Sequence, residues 1–186
     1  MQTATAPRQT PTSVAYRIDP DHASAQFKVR HLMVASVRGE LGEVTGEVQL
    51  DLADLSRSSV TARIDVTALS TRNADRDTHL RSADFLDAAN HPALTFRSTG
   101  VRRVKGGELA VDGELTIRGT TRPVSLAVEL SDEIKDPWGN AKRGVTATAR
   151  LDRREFGLTW NAALETGGVV VGDHVDVTIE AELVRA

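Results

Sequence analysis

With 186 residues the chain is sized for one domain, and its formal net charge of −3 offers no basic field for nucleic acid. It has no cysteine, which excludes thiol catalysis, disulfides and cysteine-based zinc or iron–sulfur centres. Aromatic residues make up only 4% of it, and no apolar run approaches the roughly 20 residues of a membrane helix.

Residues 1–13 hold Pro7, Pro11 and many threonines, and read as a disordered tail ahead of one domain over residues 14–186. Met1 to Val14 shows no apolar core of a signal peptide, so the expected location is the cytosol. A short strand follows at Tyr16 to Asp19, ended by Pro20-Asp21. A longer one runs from Ala23 to Met33, with Ala25, Phe27 and Val29 on one face and Gln26, Lys28 and Arg30 on the other. Val37 to Asp51 carries Gly39, Gly42 and Gly46, which inside a strand mark bends or bulges of the kind a closing barrel needs. Ser58 to Val66 alternates again, with Val60, Ala62, Ile64 and Val66 on one face.

The next stretch, RDTHLRSADF from Arg76 to Phe85, breaks the alternation and reads as a short helical insert. Asn73 is placed to cap it, and Asp75 sits near the positive end of its dipole. Asp75/His79 and Asp77/Arg81 are four apart, acid first, the favourable order on a helix. Leu80 and Phe85 are expected to face inward and close one side of the sheet, with Asp77 and Arg81 paired outside.

Pro92 opens a strand carrying Leu94 and Phe96. Arg102, Arg103 and Lys105 lead into a solvated turn at Gly106-Gly107. Leu109, Val111, Leu115 and Ile117 alternate next, and Gly113 fills one inward slot with no side chain. Gly119 to Pro123 turns the chain into Val124, Leu126, Val128 and Leu130. A strong turn over Asp136 to Asn140 precedes Val145, Ala147, Ala149 and Leu151. Phe156, Leu158 and Trp160 alternate at a strand end, either lining a cavity mouth or plugging one end of a core. The last strand carries Val175, Val177, Ile179, Ala181 and Leu183.

This makes nine strands, one very short, with hairpin spacing and no helical crossovers, hence an all-β antiparallel sheet. Several strands run ten residues or more, long against the usual ~5–6. A closed sheet of roughly eight such strands can enclose one small ligand. A β-sandwich fits the same alternation. The inward set is rich in small aliphatics, which would close a narrow sandwich dry but leave a barrel's centre open for an apolar ligand to complete. The strand residues expected to line such a tunnel are Phe27, Val29, Ile64, Leu94, Phe96, Leu115, Ile117, Leu126, Val128, Val177 and Ile179.

Motifs for chemistry are missing. There is no GxSxG, HExxH, Walker A or GxGxxG pattern, so no catalytic set is assigned. The five histidines, His22, His31, His79, His91 and His174, lack metal-ligand spacing, and no metal or redox cofactor is expected. His79 alone sits among charged neighbours. The insert reads either as a salt-bridged brace or as a place where His79 and Arg81 meet an anionic head group. A catalytic reading lacks a nucleophile and an oxyanion hole.

Six segments carry a family resemblance: Ile18 to Gly42, RDTHLRSADF at Arg76, HPALTFRST at His91, GELTIRGTTRPV at Gly113, DRREFGL at Asp152 and VGDHVDVTIEAEL at Val171. In this order, over most of the chain, they are similar to the YceI-like family of bacterial polyisoprenoid-binding proteins. The resemblance implies an extended eight-stranded antiparallel lipocalin-like barrel with a short α-helical insert. It implies a tunnel for an isoprenoid lipid, such as a quinone tail or a polyprenyl phosphate, held for carriage, storage or shielding. Relatives suggest a homodimer, and many are exported, from which this sequence departs. Ala23 stands where many relatives have Ser. The competing functions are a β-domain acting through protein–protein contacts, and an enzyme on a bound lipid with His79 and Asp77 as acid and base.

Overall fold

Val14–His31 forms one strand, β1, across the site where Pro20 was expected to end a first short one. In its pairing with the last strand, β1 advances from Ile18 to Ala23 while the partner moves only from Leu183 to Ala181. Pro20, Asp21 and His22 therefore sit in an exposed bulge, where a missing N–H costs no ladder bond. The structure is a computed structural model and describes residues 13–165 and 167–186. The tail expected over residues 1–13 lies, apart from Ser13, outside that range.

The stretch from Val37 to Asp51, expected as one strand, is two: β2 (Ala35–Glu40) and β3 (Val44–Leu50). The break falls at Gly42, where an added Cβ would lie 3.0 Å from the carbonyl oxygen of Asp65. Both pieces pair with β1, β2 against its second half and β3 against its first residues, Val14 to Arg17. There follow β4 (Ser59–Asp65), the helix α1 (Ala74–Arg81), β5 (Ala93–Arg103), β6 (Leu109–Ile117) and β7 (Thr120–Leu130). A short β8 (Ile134–Lys135) turns into β9 (Ala141–Asp152), and β10 (Val171–Arg185) ends the chain.

Every pairing is antiparallel. The order β10-β1-β3-β4-β5-β6-β7-β9 closes on itself because β9 also pairs with β10, from Asp152↔His174 to Lys142↔Val184. The result is an eight-stranded closed barrel, so the sandwich alternative is set aside by that last pairing. Among the described residues, no helix is long and apolar enough to cross a membrane.

The two ends of the barrel differ. At the base, Tyr16, Val48, Leu50 and Leu183 are packed together at 2–8% exposure. The Tyr16 hydroxyl donates to Glu133 and accepts from Arg143 Nε at 3.1 Å, which anchors the ring across that end. The other end carries α1, a 3₁₀ turn at Arg153–Phe156 and the loop leading into β10.

Gly113 shows why a strand can need a missing side chain. A Cβ there would overlap the Phe96 ring and come within 2.6 Å of the Arg97 carbonyl oxygen. Phe96 occupies the slot that Gly113 leaves. Gly113→Ala should therefore destabilise the barrel by about 1–3 kcal/mol, since the backbone oxygen cannot yield as a side chain can. Chemical denaturation checks it, and an unchanged midpoint would show that the ring has another place to go.

Candidate functional site: an apolar tunnel

The inward side chains of the barrel surround a cavity of about 270 Å³. Ser58, Thr95 and Arg153 are the polar members of its lining, and Arg153 is the one titratable side chain among them. On β10 the lining runs from Val171 to Leu183. That is about 40 Å of strand at ~3.3 Å per residue, or roughly 30 Å along the axis at the usual barrel tilt.

Burial along β10 records how the bore changes. Leu183 and Ala181 are 3% and 7% exposed, whereas Ile179, Val177, Val175 and Val171 are only half-buried although they face inward. The interior is packed at the base and, toward the helix, open along β10, whereas Val44, Ile64, Ile117, Phe156 and Leu158 at that end are buried. Small residues on β9, Ala147 and Ala149, widen the same stretch.

The structure brings together on this wall Phe27, Val29, Ile64, Leu94, Phe96, Leu115, Ile117, Leu126, Val128, Val177 and Ile179. Leu80 of α1 and Phe85 just beyond it add a patch near the helix end, as do Phe156 and Leu158. Trp160 does not line the tunnel, which corrects the sequence reading. The alternation assumed over Phe156 to Trp160 is interrupted by the 3₁₀ turn and by Gly157, whose φ is 76°. Trp160 is carried outward and packs edge-on to the His79 ring at 4.7 Å and against Phe85 at 5.3 Å.

His79 and Arg81, the candidate head-group contacts, also stand off the lining. His79 Nε2 meets Asp84 Oδ2 at 2.9 Å, and Arg81 donates to the Leu69 carbonyl at 2.9 Å. Asn73 caps α1 as expected, accepting from the Arg76 N–H. The outer Asp77–Arg81 pair does not form. Asp77 is buried instead and accepts from the Thr71 N–H at 2.7 Å and from the Thr71 hydroxyl. A helix of two turns docked on its own lead-in loop satisfies that loop's polar groups before it makes surface pairs.

Burial alone would raise the Asp77 carboxyl, but the Thr71 bonds and the nearby Arg81 and Arg76 charges outweigh it and hold the group below the usual range. A depressed carboxylate adds stability above its unfolded value near 3.9, and that stability is lost as pH falls through the lower folded value. The insert should therefore loosen only below about pH 4. Trp160 emission is the reporter, because the ring packs on His79 and Phe85. Asp77→Asn should lower neutral-pH stability and flatten that acid dependence; parallel pH curves for the two proteins would show that Asp77 holds nothing.

Arg153 escaped the sequence reading, because an arginine in a charged run reads as solvated. It is 5% exposed. Its Nε donates to Gly172 O, Nη1 to Leu158 O and Trp160 O, and Nη2 to Val171 O. Asn161 adds two bonds to the backbone of Val171. Together they fasten the loop after the 3₁₀ turn to the first residues of β10. Next to it, the Arg154 guanidinium holds the Asp152 carboxyl down at about 2.

On the outer wall, Asp19, His22 and Glu182 approach one another with ligand-like spacing. Lys142 Nζ lies 2.8 Å from Glu182 and 3.6 Å from Asp19, so the cluster is an ion-pair network already centred on a cation.

A closed, extended antiparallel barrel around an apolar tunnel, with one helix at its open end, defines a lipocalin-like barrel. The YceI-like domain matches residues 16–183, and the chain belongs to that family. A UPF0312 protein of Vibrio cholerae is 39% identical over 74% of this chain and 72% of its own. One from Staphylococcus aureus is 35% identical over 90% of this chain and 95% of its own. Among solved structures, BcnA of Burkholderia cenocepacia superposes with a TM-score of 0.77 at 19% identity, covering 89% of this chain and 98% of that one. A polyisoprenoid binding domain from Saccharophagus degradans, implicated in plant cell wall breakdown, gives 0.65 at 15% identity, covering 93% and 99%.

Proposed function

We propose that the barrel binds a long-chain isoprenoid lipid, of quinone or polyprenyl type, for carriage, storage or shielding, without catalysing a reaction on it. The observation that carries this reading is the long tunnel with an almost wholly apolar wall. A wall of that kind holds a chain, not a compact polar substrate. A single buried guanidinium committed to backbone carbonyls supplies no acid–base pair. The similar domain from Saccharophagus degradans, described as polyisoprenoid binding, supports the same ligand class.

The energetics assign roles to the two ends of such a lipid. Each buried CH₂ contributes ~0.8 kcal/mol, so a few isoprene units approach the practical ceiling of affinity before ordering costs are met. The tail supplies affinity, and the head supplies orientation and choice among lipids.

Organic extraction and mass spectrometry of the purified protein test the proposal. A prenyl lipid in stoichiometric amount is expected. A barrel that is isolated empty and takes up no prenyl lipid on incubation would overturn it. Leu80→Ala refines the test by thinning the wall at the helix. Long prenyl chains should dissociate faster from this variant, by a larger factor than short ones. Equal factors would mean that α1 does not touch the tail.

A further inference from the structure

The turn between β1 and β2 breaks two rules at once. Leu32, Met33 and Val34 are consecutive large apolar residues at 39%, 52% and 79% exposure. Runs of exposed apolar side chains are a liability unless they do something. Leu32 and Met33 also hold positive φ, 51° and 60°, in a tight turn that Asn-Gly would make at lower cost. The sequence thus accepts strain in order to present bulk.

The turn is fixed in place. Val34 N donates to His31 O at 3.2 Å, Arg30 Nη2 to Met33 O at 2.7 Å, and Leu32 N to Val170 O at 2.8 Å. Val170 is the neighbour of Val171, which lines the tunnel, so the tip stands at the barrel's open end.

The face beside it is basic. Lys28, Arg30 and Arg38 are exposed on the outer side of the β1–β2 ribbon, with Lys28 directly across from Arg38. Like charges in that register repel. Among the described residues, neither Lys28 nor Arg38 has an ion-pair partner. Asp176, opposite Lys28 on β10, lies 4.0 Å from Arg150, and Glu40 is at the far end of β2. A basic patch on a chain of net charge −3 is a local arrangement.

We propose that the Leu32-Met33-Val34 tip and this basic face dock the open end of the barrel on an anionic lipid bilayer. Apolar side chains flanked by arginine and lysine are the chemistry of a membrane interface: the former enter the acyl boundary, the latter meet anionic head groups. The carrier reading gives docking a purpose, since a prenyl lipid leaves and enters a membrane and not water. The surface itself does not depend on what the tunnel holds.

Flotation with vesicles of phosphatidylcholine, with and without phosphatidylglycerol and free of prenyl lipids, tests docking by itself. Lipid extraction can then fail without docking failing, and the reverse. The protein should float with the anionic vesicles at low salt and dissociate as salt rises. Lys28→Glu with Arg38→Glu should weaken binding by at least about fivefold per charge. The variant Leu32→Asn with Met33→Gly relaxes the turn, so its melting temperature should hold or rise while partitioning falls at least tenfold. Should that variant fold poorly, Val34→Ser keeps the strained positions and must still reduce partitioning severalfold. Wild-type protein that ignores anionic vesicles at low salt, or tip variants that bind as well as wild type, would overturn the proposal. Self-association through the tip in place of vesicle binding would overturn it too.

Discussion

Ala149→Phe should leave the barrel standing and shut out the long-chain ligand proposed for it. Ala149 lies on β9 opposite Val177 of β10, in the half-open stretch of the wall. In a packed core, added bulk of this size costs about 1–3 kcal/mol through strain. Against open space the new ring buries apolar surface instead, a gain of about 1.5–3 kcal/mol if fully covered. The melting temperature is therefore expected to hold or rise, while extractable lipid falls at least tenfold. A lower melting temperature with lipid content intact would mean that the bore does not pass Ala149. The substitution separates a tunnel from a dry interior, because the two predict opposite signs for stability.

Arg153→Met should have the largest effect on stability of any single change at the site. It deletes the donors to the carbonyls of Leu158, Trp160 and Gly172, the first of them buried, and leaves Val171 O to Asn161 alone. Breaking a buried charged network in this way costs about 3–5 kcal/mol. For a domain of this size, each kcal/mol lowers the melting temperature by roughly 2–4 °C, so the loss should fall between roughly 6 and 20 °C. Arg153→Lys should not rescue it, since an ammonium cannot spread its donors over four carbonyls in a plane. Trp160 emission should shift to the red in both variants as the ring leaves His79 and Phe85. A melting temperature within two or three degrees of wild type would show that the loop is held by Asn161 and the strand ladder alone.

Much of the fold was legible because its signal is local. Alternation fixed which residues share a face, and so Val29, Ile64, Leu115 and Val177 could be assigned to one wall from spacing alone. The Asn73 cap followed from the same kind of short-range chemistry. Closure was not legible in the spacing, because the β10–β1 ladder joins Tyr16 to Arg185 from opposite ends of the domain; the family resemblance is what implied a barrel. Pro20 misled in the opposite sense: a local rule predicted a break, and a bulge absorbed it. Trp160 was misplaced because its period was carried through a turn that ends it. Arg153 was missed because a charged side chain buried against carbonyls leaves no mark that distinguishes it from a solvated one.

The packed base of the barrel has a kinetic consequence. Tyr16, Leu50 and Leu183 stop that end, so anything in the bore has one way in and out. Two long chains cannot pass each other in such a tube. A newcomer must wait for the resident to withdraw, and turnover of the occupant becomes a queue. The rate at which a labelled lipid is replaced should then be set by its own departure, and adding more competitor should not hasten it.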